Sequence, residues 1–131
     1  MTPFIEEARR LLSLAQGDYA AFTVLRAHPS VPLAPTCFHG QQCVEKALKA
    51  VLTARQVFFR RVHDLEEITN LLTDAHITPP FPAEQYGLLN PFAVGMRYDD
   101  RVAPLITLEE TDYMATRTLR WAEELVSRAT V

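Results

Sequence analysis

The sequence predicts an all-α fold, an up-and-down four-helix bundle with an additional short helix, which makes five helices. Apolar residues recur at three- and four-residue spacing in the longer segments, as expected of helices with one buried face. Prolines cluster at residues 29–35 and 79–82, where they interrupt these periodic segments. The chain has only four glycines and no Asn-Gly or Asp-Gly pair, so no typical β-hairpin turn is present in the sequence.

The composition is that of one soluble globular domain spanning residues 1–131. Hydrophobic residues make up 48% and charged residues 22% of the chain, which is ordinary for a domain with its own core. The net charge of −3 excludes a globally basic nucleic-acid binder but leaves room for a local basic patch. Residues 1–12 lack the features of a secretory signal, and no run of about 18 apolar residues predicts a membrane span. We therefore expect a cytoplasmic location.

The first helix is predicted over residues 3–27, with Pro3 at a first-turn position that suits proline. Its apolar line has the spacing of a buried face and consists of Ile5, Ala8, Leu12, Ala15, Tyr19 and Phe22. Asp18 lies at the edge of this line, where we expect it to pair with a buried polar group.

The second helix lies within residues 36–65, before a short basic turn. Its apolar stripe is made mostly of small residues, so a neighbouring helix can approach closely: Gly40, Cys43, Val44, Ala47, Ala50, Val51 and Ala54, with Cys37 and Leu48 at the flank. The opposite face carries His39, Gln42, Glu45, Lys46 and Lys49. Gln41 lies on the apolar flank, so its amide must find a partner if it is buried, and the candidates are a neighbouring helix, another subunit or a ligand. The two cysteines are about 9 Å apart along the axis, too far for a disulfide, and are expected to be buried.

Capping residues mark the remaining helices. The third helix begins at Asp64, a good N-cap, with Glu67 placed as in a capping box. The fourth helix is predicted over residues 83–98, with a bend near Pro91, where one intrahelical hydrogen bond is lost. The fifth begins with Thr107 and Glu110, another capping box.

Two sequence blocks resemble the HEPN family, the higher eukaryotes and prokaryotes nucleotide-binding domain. The first is FHGQQCVEKALKA at residues 38–50, followed by His63-Asp64-Leu65, and the second is Asn90-Pro91-Phe92-Ala93-Val94, followed by Arg97-Tyr98-Asp99. The resemblance implies a helical bundle, usually paired into a homodimer, that binds nucleotide or RNA. It also implies a partner, since such proteins often work with a minimal nucleotidyltransferase as a toxin–antitoxin module.

A basic run predicts where a nucleotide or RNA ligand would bind. No acidic residue occurs between Lys46 and Arg61, and arginine can hold phosphate in a two-pronged grip. The residues expected to contact the ligand are Gln42, Lys46, Lys49, Arg60, Arg61, His63, Arg97 and Tyr98. Phe58 and Phe59 lie beside the arginines and are suited to stacking a base. The alternative is that the charges form a solvated helix face, with Glu45 and Lys49 as an i,i+4 pair, and that the phenylalanines close the end of the bundle.

The sequence argues against the family's usual catalysis. Active HEPN ribonucleases carry an arginine, four to six intervening residues and then a histidine. None of the four histidines has an arginine at that distance upstream, and no histidine follows Arg97. One alternative function is therefore a metal-independent ribonuclease with a non-standard pair, Arg97 and His63. Another is a non-catalytic dimerisation or protein-interaction module. The absence of HxxxH and CxxC spacing argues against a metal site, and no cofactor is expected.

Overall fold

The computed structural model describes residues 2–93 and 105–129. Within these ranges the chain forms five α-helices and one 3-10 helix and has no strand. The elements are α1 (Pro3–Arg26), α2 (Leu33–Ala54), α3 (Leu65–Asp74), α4 (Ala83–Tyr86), a 3-10 helix (Gly87–Phe92) and α5 (Leu108–Ala129). The predicted all-α fold with five helices is confirmed.

The helix α2 is the centre of the fold. The long helices α1 and α5 pack against it and against each other, and α3 and the 3-10 helix also contact it. Gln16 of α1 bonds Glu123, whereas Arg26 contacts Glu109, so α1 and α5 run antiparallel. Because neighbours surround α2, most of its residues are buried, including the whole run from Ala47 to Leu52.

The small-residue stripe of α2 brings three helices together at Gly40. A Cβ atom on Gly40 would lie 2.4 Å from Cγ2 of Thr111 on α5 and 3.4 Å from the ring of Phe22 on α1. The prediction that a neighbouring helix approaches this stripe closely is confirmed. Cys37 and Cys43 are both buried and free, as predicted.

Both predicted helix caps are present, although only one of the two predicted capping boxes is complete. Asp64 caps α3 by accepting the backbone N–H of Glu66 at 3.0 Å. Thr107 and Glu110 form the predicted capping box, at 2.9 and 3.0 Å. However, Glu67 does not complete a box at α3, since its carboxylate is held by Arg60.

The second helix begins earlier than predicted. It starts at Leu33, so Pro35 lies inside its first turn and is not part of a break. Proline is tolerated there because the first backbone N–H groups of a helix have no intrahelical partner to lose.

The predicted fourth helix is wrong as a single α-helix over residues 83–98. Its α-helical part ends at Tyr86 and continues as a 3-10 helix to Phe92. Pro91 removes one N–H donor, and a Cβ on Gly87 would lie 2.1 Å from the Glu66 carboxylate, so this segment passes very close to α3. The end of the predicted helix, including Arg97 and Tyr98, lies outside the described residues.

Candidate functional site

A buried carboxylate on α2, that of Glu45, is the centre of a polar network. Its side chain is only 5% exposed. Oε2 accepts from the Lys49 ammonium at 3.1 Å, and Oε1 accepts from Gln41 at 2.9 Å. The Nδ1 atom of His63 lies 2.9 and 3.0 Å from the two carboxylate oxygens. Because a carboxylate only accepts, Nδ1 of His63 carries the proton.

This network corrects the predicted solvated face of α2. Glu45 and Lys49 were expected on the solvent-facing side of α2, yet they are only 4% and 9% exposed, respectively. The reason is that the segment 55–64 folds back over α2: the Lys49 ammonium donates to the carbonyl oxygen of Val62 at 2.7 Å. The same ammonium lies 5.7 Å from the centre of the Phe59 ring. Lys49 therefore has its hydrogen bonds inside the protein.

Gln41 is fully buried and finds its partners on its own helix. It donates to Glu45 and accepts from Gln42 at 2.7 Å. The expectation that a neighbouring helix, a second subunit or a ligand would satisfy this amide is therefore wrong. Gln42 is only partly buried. The network thus reaches the protein surface at two places, Gln42 and His63.

A second polar cluster joins α1 to α2 through Asp18. Its carboxylate accepts from Lys46 at 2.5 Å and contacts Nδ1 of His39 at 3.0 Å. The Asp18 side chain is 13% exposed and that of Lys46 is 24% exposed. The prediction that Asp18 pairs with a buried polar group holds in part, since both of its partners are half-buried.

The arginines of the 55–64 segment differ in their partners. Arg60 grips the carboxylate of Glu67 with two hydrogen bonds, of 2.9 and 2.7 Å, and this guanidinium lowers the pKa of Glu67. Arg61 is exposed and makes no ion pair with any residue in the described ranges. Lys46, Lys49 and Arg60 are therefore each paired with an acid of this chain, and the expected open cationic face is largely neutralised.

The second sequence block lies against the first through Asn90. Its side-chain oxygen accepts the backbone N–H of Leu65 at 2.9 Å, and its amide donates to Asp64 at 3.0 Å. Asn90 therefore acts as a second cap for α3 and holds the backbone next to His63. Asn90 was not predicted as a site residue from the sequence, although it is the first residue of the second HEPN-like block.

The family model described as the HEPN domain matches residues 8–130, nearly the whole chain. The chain belongs to the HEPN family. No curated protein and no solved structure matches it in the other two comparisons. Membership of this family supports a function related to nucleotides or RNA.

The HEPN blocks converge on one side of α2. Glu45 and Lys49 come from the first block, His63 from the following turn and Asn90 from the second block. The roles predicted for Gln42, Lys46, Lys49, Arg60, Arg61 and His63 in ligand binding stay predictions. The same holds for Arg97 and Tyr98, which lie beyond the described part of the chain.

Metal ligands, reactive thiols and a membrane-spanning helix are not found in the described part of this HEPN chain. Residues 2–93 and 105–129 contain no group of three or more His, Cys, Asp or Glu side chains placed to hold a metal ion. Burial raises the pKa of Cys37 and raises that of Cys43 to about 12, so neither thiol is a ready nucleophile. Among the described helices, none is both long enough and apolar enough to span a membrane.

Proposed function

We propose that this HEPN protein binds nucleotide or RNA through phosphate groups where the 55–64 segment crosses α2. The observation that carries the proposal is His63. Its side chain is 59% exposed, while Nδ1 is held by the buried carboxylate of Glu45. The ring is therefore fixed in direction, and no described residue hydrogen-bonds its Nε2 atom.

The residues around His63 supply the other contacts. Arg61 has no competing acid in the described ranges and offers several N–H donors to a phosphate. Gln42 adds an amide at the edge of the same network. Lys46 and Arg60 already bond Asp18 and Glu67, so we expect them to contribute less.

Lys49 and Glu45 act indirectly in this proposal. Lys49 holds the backbone carbonyl of Val62, and Glu45 holds His63, so the pair keeps the 55–64 segment against α2. Substitutions at these two positions would weaken binding by displacing the segment and would also lower the free energy of unfolding.

Titration of nucleotides and short RNA at several salt concentrations tests the proposal. We expect Arg61→Ala and His63→Ala each to weaken binding by about tenfold, as for the loss of one charge-assisted hydrogen bond. Removal of one phosphate contact should reduce the slope of log K against log salt by about 0.7 for single strands. The matched control is Arg120→Ala on α5, an exposed arginine without an ion pair to the described residues. Equal affinities for Arg61→Ala and Arg120→Ala would reject the site.

We further propose that the protein is a homodimer that acts with a minimal nucleotidyltransferase as a toxin–antitoxin-like module. HEPN domains often dimerise, which supports the first part. Light scattering of the purified chain tests the dimer, and copurification with the product of the neighbouring gene tests the partner. A monomer at micromolar concentration would remove the dimer from the proposal.

A second candidate function is metal-independent RNA cleavage, favoured by the Glu45–His63 pair. A carboxylate on Nδ1 fixes the imidazole tautomer that can accept a proton at Nε2, as a general base must. RNA cleavage that persists with a chelator and disappears in His63→Ala would support it. If nucleotides and RNA neither bind nor change the melting temperature at millimolar concentration, a protein-interaction function is favoured over nucleotide binding and over RNA cleavage.

A further inference from the structure

Phe58 is the most exposed of the large hydrophobic side chains in the described ranges, at 87%. It lies in the segment after α2, which has no regular secondary structure. Its neighbours Val57 and Phe59 are half-buried and pack against the core. Burial alternates along residues 57–59, so the Phe58 ring is exposed to solvent while the side chains of both neighbours contact the core.

The segment that carries Phe58 is held at both ends. The backbone N–H of Val57 donates to the Leu52 carbonyl at 2.9 Å, and the Val62 carbonyl accepts from Lys49 at 2.7 Å. Between these anchors Arg60 is bonded twice to Glu67 on α3. The backbone that carries the Phe58 ring is therefore held in place, and the ring is exposed to solvent although it adds nothing to the packing of the core.

Two arginines flank the ring along the chain. Arg55 lies three residues before Phe58 and Arg61 three residues after it, and both are exposed. Neither makes an ion pair with the described residues, in contrast to Arg60. An exposed aromatic ring with a cation three residues away on each side along the chain, neither of them paired with an acid in the described ranges, complements an anionic ligand that carries planar rings.

We infer that Phe58, Arg55 and Arg61 form a subsite that stacks one unpaired base of single-stranded RNA. In a nucleic acid strand, a phosphate lies before and after each base along the backbone, which matches the cations that precede and follow Phe58 along this chain. A mononucleotide carries its phosphates on one side only and uses one of the two arginines. The inference rests on the proposed function and extends it by naming the ligand class and the residue that contacts a base.

The test compares a base-bearing strand with a backbone that lacks bases. The probes are decauridylate and a ten-unit chain of tetrahydrofuran phosphates, which has the same backbone charges. We expect Phe58→Leu to weaken decauridylate binding by about tenfold, since stacking of one base is typically worth that factor or more. Binding of the base-free chain should stay unchanged, and Phe58→Trp should restore the affinity for decauridylate.

Tyr113→Leu supplies the matched control, since Tyr113 is another exposed aromatic residue, 51% exposed, on α5. It should bind both probes as the wild-type protein does. Because Phe58 contributes little to the core, Phe58→Leu should keep the wild-type melting temperature, which confirms that the variant is folded.

The outcomes separate this inference from the proposed function. If wild-type protein binds neither mononucleotide nor decauridylate, the proposed function fails and the stacking subsite fails with it. If wild-type protein binds and Arg61→Ala weakens binding, but Phe58→Leu matches Tyr113→Leu, only the stacking subsite is overturned. An equal loss for both probes in Phe58→Leu overturns it too, as does a loss of self-association without any change in RNA affinity.

Discussion

Substitution of Glu45 by Gln perturbs the centre of the candidate site with little change of shape. The carboxylate is 5% exposed and accepts hydrogen bonds from Gln41, Lys49 and His63. In Glu45→Gln the single amide oxygen can still accept hydrogen bonds, but the second acceptor oxygen and the negative charge are lost. The Lys49 ammonium, with its side chain 11% exposed, is then left without its counter-ion.

The magnitude follows from what Lys49 retains. Removing one partner of a buried ion pair typically costs about 3–5 kcal/mol. Lys49 still bonds the Val62 carbonyl and lies near the Phe59 ring, so we expect the lower end, about 3 kcal/mol. That is a large part of a total stability of roughly 5–15 kcal/mol. For a chain of this length it corresponds to a fall of roughly 10 °C in the melting temperature.

Urea unfolding followed by far-ultraviolet circular dichroism measures the change. The matched control is Glu124→Gln, because Glu124 also pairs with a cation four residues later, Arg128, but both side chains are exposed, at 60% and 70%. This control should cost less than about 0.5 kcal/mol. Adding Lys49→Met to Glu45→Gln removes the unpaired charge and should recover part of the loss.

A difference of less than about 1 kcal/mol between Glu45→Gln and Glu124→Gln, well below the cost of a broken buried pair, would contradict the expected role of Glu45. In that case Lys49 reaches water without hindrance, and the 55–64 segment does not depend on the pair. A further fall in stability on adding Lys49→Met would likewise show that the ammonium is not an unpaired charge in the single variant.

Three further predictions concern packing, thiols and capping. Gly40→Ala should lower the free energy of unfolding by about 1–2 kcal/mol, although alanine has the better helix propensity, because the new methyl meets Thr111. Adding Thr111→Ser removes the contacting methyl of Thr111 and should cancel most of that loss, as measured by urea unfolding. Cys37 and Cys43 of the native protein should not react with a thiol reagent at pH 8 but should react in denaturant. Burial raises the pKa of the Cys43 thiol to about 12, against about 9 in the unfolded chain. The free energy of unfolding should therefore fall as the pH rises from 9 to 12, and this fall should be smaller in Cys43→Ala. Asn90→Ala should cost about 1–2 kcal/mol through the lost cap of α3, whereas Asn70→Ala on the exposed face of α3 should cost less than about 0.5 kcal/mol in the same assay.

Local sequence patterns were sufficient to predict where α3 and α5 begin. The Thr107 and Glu110 capping box and the Asp64 cap were readable because each involves residues two or three positions apart. The fourth helix was not readable in this way. The 3-10 helix contains Pro91, and its first residue, Gly87, lies close to Glu66, a residue that a local window does not bring next to it.

At the candidate site, too, the sequence determined some features and the tertiary structure determined others. The sequence by itself determined that a polar, partly basic stretch shares α2 with a small-residue stripe, and that His63 follows it closely. Only the tertiary structure decided which charges stay available. The 55–64 segment folds over Glu45 and Lys49, and Asp18 of α1 pairs with Lys46, so the face of α2 opposite the small-residue stripe is buried or half-buried. A helical wheel describes the faces of one helix, whereas burial and ion pairing depend on the segments that pack against it.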